Sequence, residues 1–405
     1  MRRFAIGTGM RAVVTAVVTL LSWPVLAGPE CQGGAEFPAW LQGVKAEAVR
    51  QGVPAPVADA ALADVRFDPS IVRRDRGQGV FQQSFLQFSD RMVSADRMSR
   101  GTALLRTQAA LLERIEARFG VPAPVLVAFW GLETDFGADK GKFPILTSLA
   151  TLAYDCRRPD FFRPELIDAL RIVARGDLTP AQMIGDWAGE QGHMMMTPTD
   201  YVAAAVDFDG DGRRNVIDSM PDALASGANL LVRFGWKRGE PWLTEVRVPA
   251  ELPWDQADLA IRHPRSQWVA WGVKGAASPL PSDGQPASLL LPMGRFGPAF
   301  LAYPNFQAFL GWNKAFVYAT TAAYYATRLA GAPPVGRGAG VPPPLTTDQV
   351  RQLQTLLVQR GFTAEKPDGR VGLATRSAVR AAQKRYGLPA DSYPTADLIE
   401  RLKGG

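Results

Sequence analysis

The chain has 405 residues, 47% of them hydrophobic and 21% charged, a balance that supports two or three folded globular domains and excludes a disordered or collagen-like polymer. Its 45 Lys and Arg face 39 Asp and Glu, and without Arg2, Arg3 and Arg11 the balance is 42 against 39, too even and too scattered to imply a nucleic-acid partner. Only two histidines occur, His193 and His263. A histidine-rich zinc site is therefore excluded, a Ser-His-Asp triad has few candidates, and chemistry must rest on carboxylates.

In chain order, Arg2, Arg3 and Arg11 precede an apolar run from Ala12 to Leu21 and then Val25-Leu26-Ala27, which reads as a secretory signal peptide over residues 1–27. The run is too short to span a bilayer, and Gly28 rather than a cysteine follows the cleavage site. A soluble, exported protein without a stable membrane anchor is expected. In an oxidising compartment Cys31 and Cys156 are expected to form a disulfide, the alternative being two small buried thiols.

Residues 36 to 120 read as helices. Leu41, Val44 and Ala48 share one face, Phe85, Phe88 and Met92 another, and Leu104, Leu111, Leu112, Ile115 and Phe119 a third. The stretch Phe129 to Gly137, FWGLETDFG, ends a helix that starts near Pro122, is apolar all round from Val125 to Trp130, and is expected to be capped by a left-handed Gly137. Glu133 sits in its last turn, where partial desolvation raises a carboxyl pKa toward that of a general acid. A Glu satisfied by helix-end hydrogen bonds is the plain alternative. Asp135, about 200° further round the helix, should point elsewhere. Helices around Leu146 to Tyr154 and Pro164 to Arg175 flank Arg157 and Arg158, which could face an acidic ligand or solvent.

Downstream, GDWAGEQGHMMMTPTDY runs into AVDFDGDGRRNVID. Asp207, Asp209 and Asp211 fall at positions 1, 3 and 5 of a calcium loop, Gly212 at 6, the Arg213 carbonyl at 7 and Asp218 at 12. A structural Ca²⁺ is expected and no cofactor for catalysis; a plain Asp-Gly turn is the alternative. An amphipathic helix from Asp222 to Phe234 follows. Val246 to Val248, Gln267 to Val273, Ser288 to Leu291 and Phe300 to Tyr303 read as short strands of a small β subdomain over about 240–303. Its Trp254, Trp268 and Trp271 could stack sugars, though a core role is favoured. Residues 331–344 form a Pro/Gly linker that cannot make helix or packed core. Beyond it, Val350, Leu353, Leu356 and Leu357, then Ala378, Val379 and Ala382, then Leu398, Ile399 and Leu402 mark three helices.

The FWGLETDFG stretch, the GDWAGEQGHMMMTPTDY stretch and the DFDGDG loop, in this order and spacing, look like the B-type lytic murein transglycosylases over roughly Phe37 to Leu329, and residues 345–405 resemble a three-helix peptidoglycan-binding domain. The resemblance implies a predominantly α (α+β) architecture, a lysozyme-like catalytic domain over 28–330, and Glu133 as single catalytic acid. It implies a periplasmic enzyme that cuts the β-1,4 bond between N-acetylmuramic acid and N-acetylglucosamine and leaves a 1,6-anhydro ring. Peptidoglycan glycan strands are then the partner, with other cell-wall enzymes as candidate protein partners. In NFQAFLGWNKAFVYAT, Asn313 matches an asparagine that contacts substrate, and Trp312 and Tyr318 are aromatic neighbours of the cleft.

The chain departs from the family at Met195 and Met196, where a glutamine and an aromatic are usual, and at Asp186 and Ala315, where serines are. Met195 cannot supply a glutamine's hydrogen bonds, so a wall-binding protein that lost turnover is an alternative. Asp186 places a second carboxyl near Glu133, where the pair should titrate in coupled steps with one pKa raised. That carboxyl could also serve a hydrolysing muramidase, or merely cap its own turn.

Overall fold

The computed structural model describes residues 36–77, 83–363 and 365–404. The expected signal peptide and Cys31 lie outside the described residues; Cys156 is disulfide-bonded, and no described cysteine is free.

The first unit is built around the helix Ala123–Thr134, buried at every position from Val125 to Leu132, which is why its sequence shows no polar face. The helices Ala95–Thr107, Ala109–Phe119, Met220–Arg233 and Phe316–Leu329 pack around it. Its end differs from the sequence expectation. The helix stops at Thr134, and Asp135 (φ 50°) and Phe136 (φ 65°) are left-handed before Gly137 (φ 85°). Two non-glycine residues hold that costly backbone because their side chains are clamped. Asp135 accepts from Arg97 Nε at 3.2 Å and from Arg100 Nη1 at 2.7 Å, and the Phe136 ring packs against Gly131 and carries the Arg100 guanidinium over it, 5.0 Å from the ring centroid. Gly137 is required for a different reason: a Cβ there would lie 2.4 Å from His193 Nδ1.

The β subdomain is a five-stranded antiparallel sheet, in spatial order His263–Pro264, Pro286–Leu290, Ala299–Ala302, Leu243–Arg247 and Lys274–Gly275. Period-two alternation sends Leu289 and Leu301 into the subdomain's own core and their neighbours Leu290 and Phe300 into the main core. Gln267 to Val273 is not a strand. Arg265–Ala270 is a short helix that puts Trp268 and Trp271 on one face, ring centroids 5.1 Å apart. Trp268 is fully buried and donates its Nε1–H to the Ala287 carbonyl, so the core reading of this tryptophan holds.

The helices Thr347–Gln359, Leu373–Arg385 and Ala396–Gly404 close on a core of Leu353, Leu357, Ala378, Val379, Ala382, Leu398, Ile399 and Leu402. The segment before them is not a free spacer. Val335 is buried and donates its N–H to Tyr324 Oη, Gly336 N–H donates to Glu245, Ala339 N–H to the Phe296 carbonyl, and Arg337 pairs with Asp90. A Pro/Gly chain cannot form its own ladder, but its remaining N–H groups find acceptors on the first unit. The three-helix unit docks there as well: buried Arg376 donates to the Leu291 carbonyl at 2.6 Å, Arg380 pairs with Asp258 at 3.1 Å, and the Arg295 N–H donates to Asp391 at 3.0 Å.

Candidate active site

Glu133 is reached by side chains of two helices, 179 and 185 residues further along the chain. Trp312, the last residue of the helix Phe306–Trp312, donates its Nε1–H to Glu133 Oε1 at 2.8 Å, and Tyr318, in the first turn of Phe316–Leu329, donates its hydroxyl to the same oxygen. The Trp312 ring in turn rests on Phe129, one turn back along the Glu133 helix, at 4.4 Å. Burial pushes the Glu133 pKa up to about 7, against the pull of the two donors; the nearby Asp186 charge adds a smaller upward push. A carboxyl raised into this range can start a reaction protonated and, having given up its proton, serve as the base.

Asp186 combines two arrangements that the sequence offered as alternatives. Its Oδ1 accepts from the Ala188 N–H at 2.8 Å and the Glu190 N–H at 2.9 Å, and it also shares the site with Glu133. Burial raises its pKa to about 6 despite those backbone donors. The turn it caps brings in a residue that sequence reasoning missed, Glu190, whose pKa is raised by burial and by the charges of Asp186, Glu133, Asp200 and Glu165. The available signal was an acid set between Gly189 and Gly192. Gly189 is left-handed (φ 89°), and a Cβ there would meet Leu149 at 2.3 Å.

A cavity of about 770 Å³ opens beside Glu133. Glu190, Thr197, Trp312, Asn313 and Ala315 line it from the first unit, and Gln354, Asp368, Arg370 and Arg376 from the three-helix unit. Glu133 is not itself on the lining; its hydrogen-bond partner Trp312 is. Asn313 uses its Oδ1 to accept the Ala315 N–H at 2.9 Å, an Asx turn directly before the helix that carries Tyr318.

Of two further expected cleft residues, Met195 is left-handed (φ 45°) and donates its N–H to the Gly192 carbonyl; like Glu133, Asp186 and Tyr318, it is not itself on the cavity lining. The other, Arg157, stands elsewhere. Arg157 pairs at 2.5 Å with Asp75, a fully buried acid that also holds Arg158. A buried carboxylate needs its counter-charge, so Arg157 is structural, and it is Arg158 that reaches the lining.

The acidic loop also differs from the expected set at one carboxylate. Oxygens of Asp207, Asp209, Asp211 and Asp222 lie within 4.8 Å of one another. Asp218 is exposed and bonds Asn215 instead. Asp222, fully buried, accepts from the N–H groups of Phe208, Asp209 and Asn215, so the helix after the loop ties it shut. Arg213 is exposed, and its N–H donates to Asp211 Oδ1. An all-carboxylate set on a tight loop fits a hard divalent cation such as calcium. From this loop the Val216 carbonyl accepts the His193 N–H, and the His193 carbonyl accepts from Thr134, the neighbour of Glu133.

Helices wrapped around a central helix that ends in the buried Glu133, with a small sheet and a sugar-sized cleft, define a lysozyme-like protein. Residues 36–327 match the family model described as the transglycosylase SLT domain, and residues 346–402 match a putative peptidoglycan binding domain. The chain belongs to the SLT transglycosylase family. It is similar to the SltB3 structure of Pseudomonas aeruginosa in complex with NAG-anhNAM-pentapeptide, with 40% identity, a TM-score of 0.84, and coverage of 91% of this chain and 100% of that one. It is similar to Escherichia coli Slt35 in complex with calcium, with 27% identity, a TM-score of 0.62, and coverage of 72% and 92%. Membrane-bound lytic murein transglycosylase B of Escherichia coli K12 is 29% identical over 237 residues, which span 58% of this chain and 64% of that relative.

Proposed function

We propose that this protein is a lytic transglycosylase that cleaves the β-1,4 bond between N-acetylmuramic acid and N-acetylglucosamine and closes a 1,6-anhydro ring. The observation that carries the reading is the buried Glu133 carboxyl, held by Trp312 and Tyr318 next to a cavity of oligosaccharide size that Trp312 lines; burial pushes its pKa up to about 7. Protonated Glu133 gives its proton to the glycosidic oxygen as the C1–O bond breaks, and the muramoyl N-acetyl oxygen bonds to C1. Ionised Glu133 then takes the O6 proton; O6 displaces the acetamido oxygen from C1, and no water is consumed. Incubation with murein sacculi tests this: soluble anhydro-muropeptides support it, whereas sedimentation on intact sacculi with nothing released would leave only a wall-binding protein.

An ionised Asp186 opposes ionisation of Glu133. Replacing it with serine should therefore lower the Glu133 pKa, and the alkaline limb of the pH–rate profile should move to lower pH. A limb that stays in place, with an unchanged ratio of anhydro to reducing ends, would reduce Asp186 to a turn cap. Because the three-helix unit supplies part of the lining, deletion of residues 331–405 should slow cleavage of soluble glycan fragments, by about tenfold in kcat/KM, as well as weaken binding to sacculi. Cleavage of soluble fragments at the full rate would show that the unit only tethers.

Asp207, Asp209, Asp211 and Asp222 are proposed to hold a structural calcium ion, which takes no part in proton transfer. Among the described residues no single helix is long and apolar enough to cross a membrane, and the arginine-led apolar N-terminus supports export to the periplasm. Other cell-wall enzymes remain the candidate protein partners.

A further inference from the structure

Glu190 is placed with unusual care for a residue without an obvious task. Its N–H donates to Asp186 Oδ1 and its carbonyl accepts the Asp186 N–H, both at 2.9 Å. Gln191, the next residue, pairs as an antiparallel bridge with Gly185 on one side and Met196 on the other. The backbone is therefore pinned, Glu190 lines the cavity, and its carboxyl has no hydrogen-bond partner among the described residues.

The charges that act most strongly on it are acids: Glu133 on the central helix, Asp186 on its own turn, Asp200 on Pro198–Ala204 and Glu165 on Pro159–Ala174. Tyr318 is a further titratable neighbour, which donates its hydroxyl to Glu133, and the basic side chains Arg158, Lys314, Arg370 and Arg376 lie on the lining of the same cavity. Burial and the four acids favour the protonated carboxyl as pH rises past the range in which free carboxyls ionise. A protonated carboxyl is a donor, and a half-buried donor left unpaired costs free energy that a ligand acceptor recovers. On a murein strand the strongest uncharged acceptor, repeated on every sugar, is the acetamido carbonyl.

We propose that Glu190 is a substrate-binding residue whose carboxylic O–H donates to an acetamido carbonyl of the glycan strand where it passes from the cavity to Glu133. The inference rests on the transglycosylase reading for its substrate class, but it concerns binding rather than bond cleavage. Glu133 governs kcat, and Glu190 governs KM.

The test compares Glu190→Gln, whose amide remains a donor, with Glu190→Ala, on soluble N-acetylglucosamine–N-acetylmuramic acid oligomers. Glu190→Ala should raise KM about tenfold, the value of one hydrogen bond of about 1.4 kcal/mol, with kcat within about twofold. Glu190→Gln should restore KM at neutral pH. Wild-type KM should also rise at alkaline pH as the donor proton is lost, whereas that of Glu190→Gln should stay flat, a readout that holds even where the alanine variant folds poorly. The same pair in a Glu133→Gln background, read as Kd for uncleaved oligomers, should differ by the same factor. That arm is independent of turnover, so it survives if the transglycosylase reading fails. An unchanged KM and Kd in Glu190→Ala, a glutamine variant as impaired as the alanine one, or a pH-dependent KM in Glu190→Gln would each overturn the proposal.

Discussion

Glu133→Gln is expected to lower turnover on glycan strands by about 10³-fold, within the range for loss of a positioned acid and base, while binding to sacculi persists. The amide oxygen still accepts from Trp312 Nε1 and Tyr318 Oη, as Oε1 does in the native protein, so the cleft keeps its shape. The same substitution should stabilise the protein at alkaline pH. Glu133 titrates near 7, against 4.5 for a free glutamic acid, and a carboxyl whose pKa is raised on folding supports the fold only while it is protonated. Wild type therefore loses stability as pH climbs from about 4.5 through 7, on the order of 3 kcal/mol by the usual conversion; the amide loses none. Melting curves at pH 4 and pH 8 should show the variant gaining on wild type at the higher pH. A variant with activity within threefold of wild type would remove Glu133 from the chemistry, and parallel melting curves would contradict its burial.

Asp222→Ala is expected to cost about 2 to 4 kcal/mol, because three backbone N–H groups lose one shared, fully buried acceptor. Asp218→Ala should change stability by about 0.5 kcal/mol or less, as at other exposed sites. The two variants also separate two ligand sets for the loop. Calcium at about a hundred times its Kd stabilises a folded site by roughly 2.7 kcal/mol, so the wild-type melting temperature should rise with calcium and fall back with chelator. Asp218→Ala should keep that response and Asp222→Ala should lose it. The reverse pattern would return the last ligand to the twelfth loop position.

The buried helix, its terminal acid and the three-helix unit were legible because each rests on local pattern: an unbroken apolar run, a proline start, and faces repeating at helical spacing. Glu133 was found that way, and Trp312 and Tyr318 came from resemblance rather than pattern. No local signal says that an indole and a phenol far along the chain converge on one carboxylate oxygen. Asp222 was read only as the start of a helix, since loop spacing stops at the twelfth position and cannot register that the next helix folds back across the loop. Arg157 was misplaced because Asp75, its partner, lies on a helix whose packing sequence alone does not give. Gln267 to Val273 has too few residues to separate alternation from an i, i+3 pair. The linker's composition excluded regular structure, as it should, but not docking, which depends on acceptors offered by another part of the chain.

The central claim, cleavage by internal ring closure under one acid, is tested most directly by digesting sacculi in isotopically labelled water. The products should carry 1,6-anhydro ends and no solvent oxygen, because O6 rather than water takes the bond to C1. Labelled reducing ends would show that water attacks instead, and would make this protein a hydrolase on a transglycosylase fold.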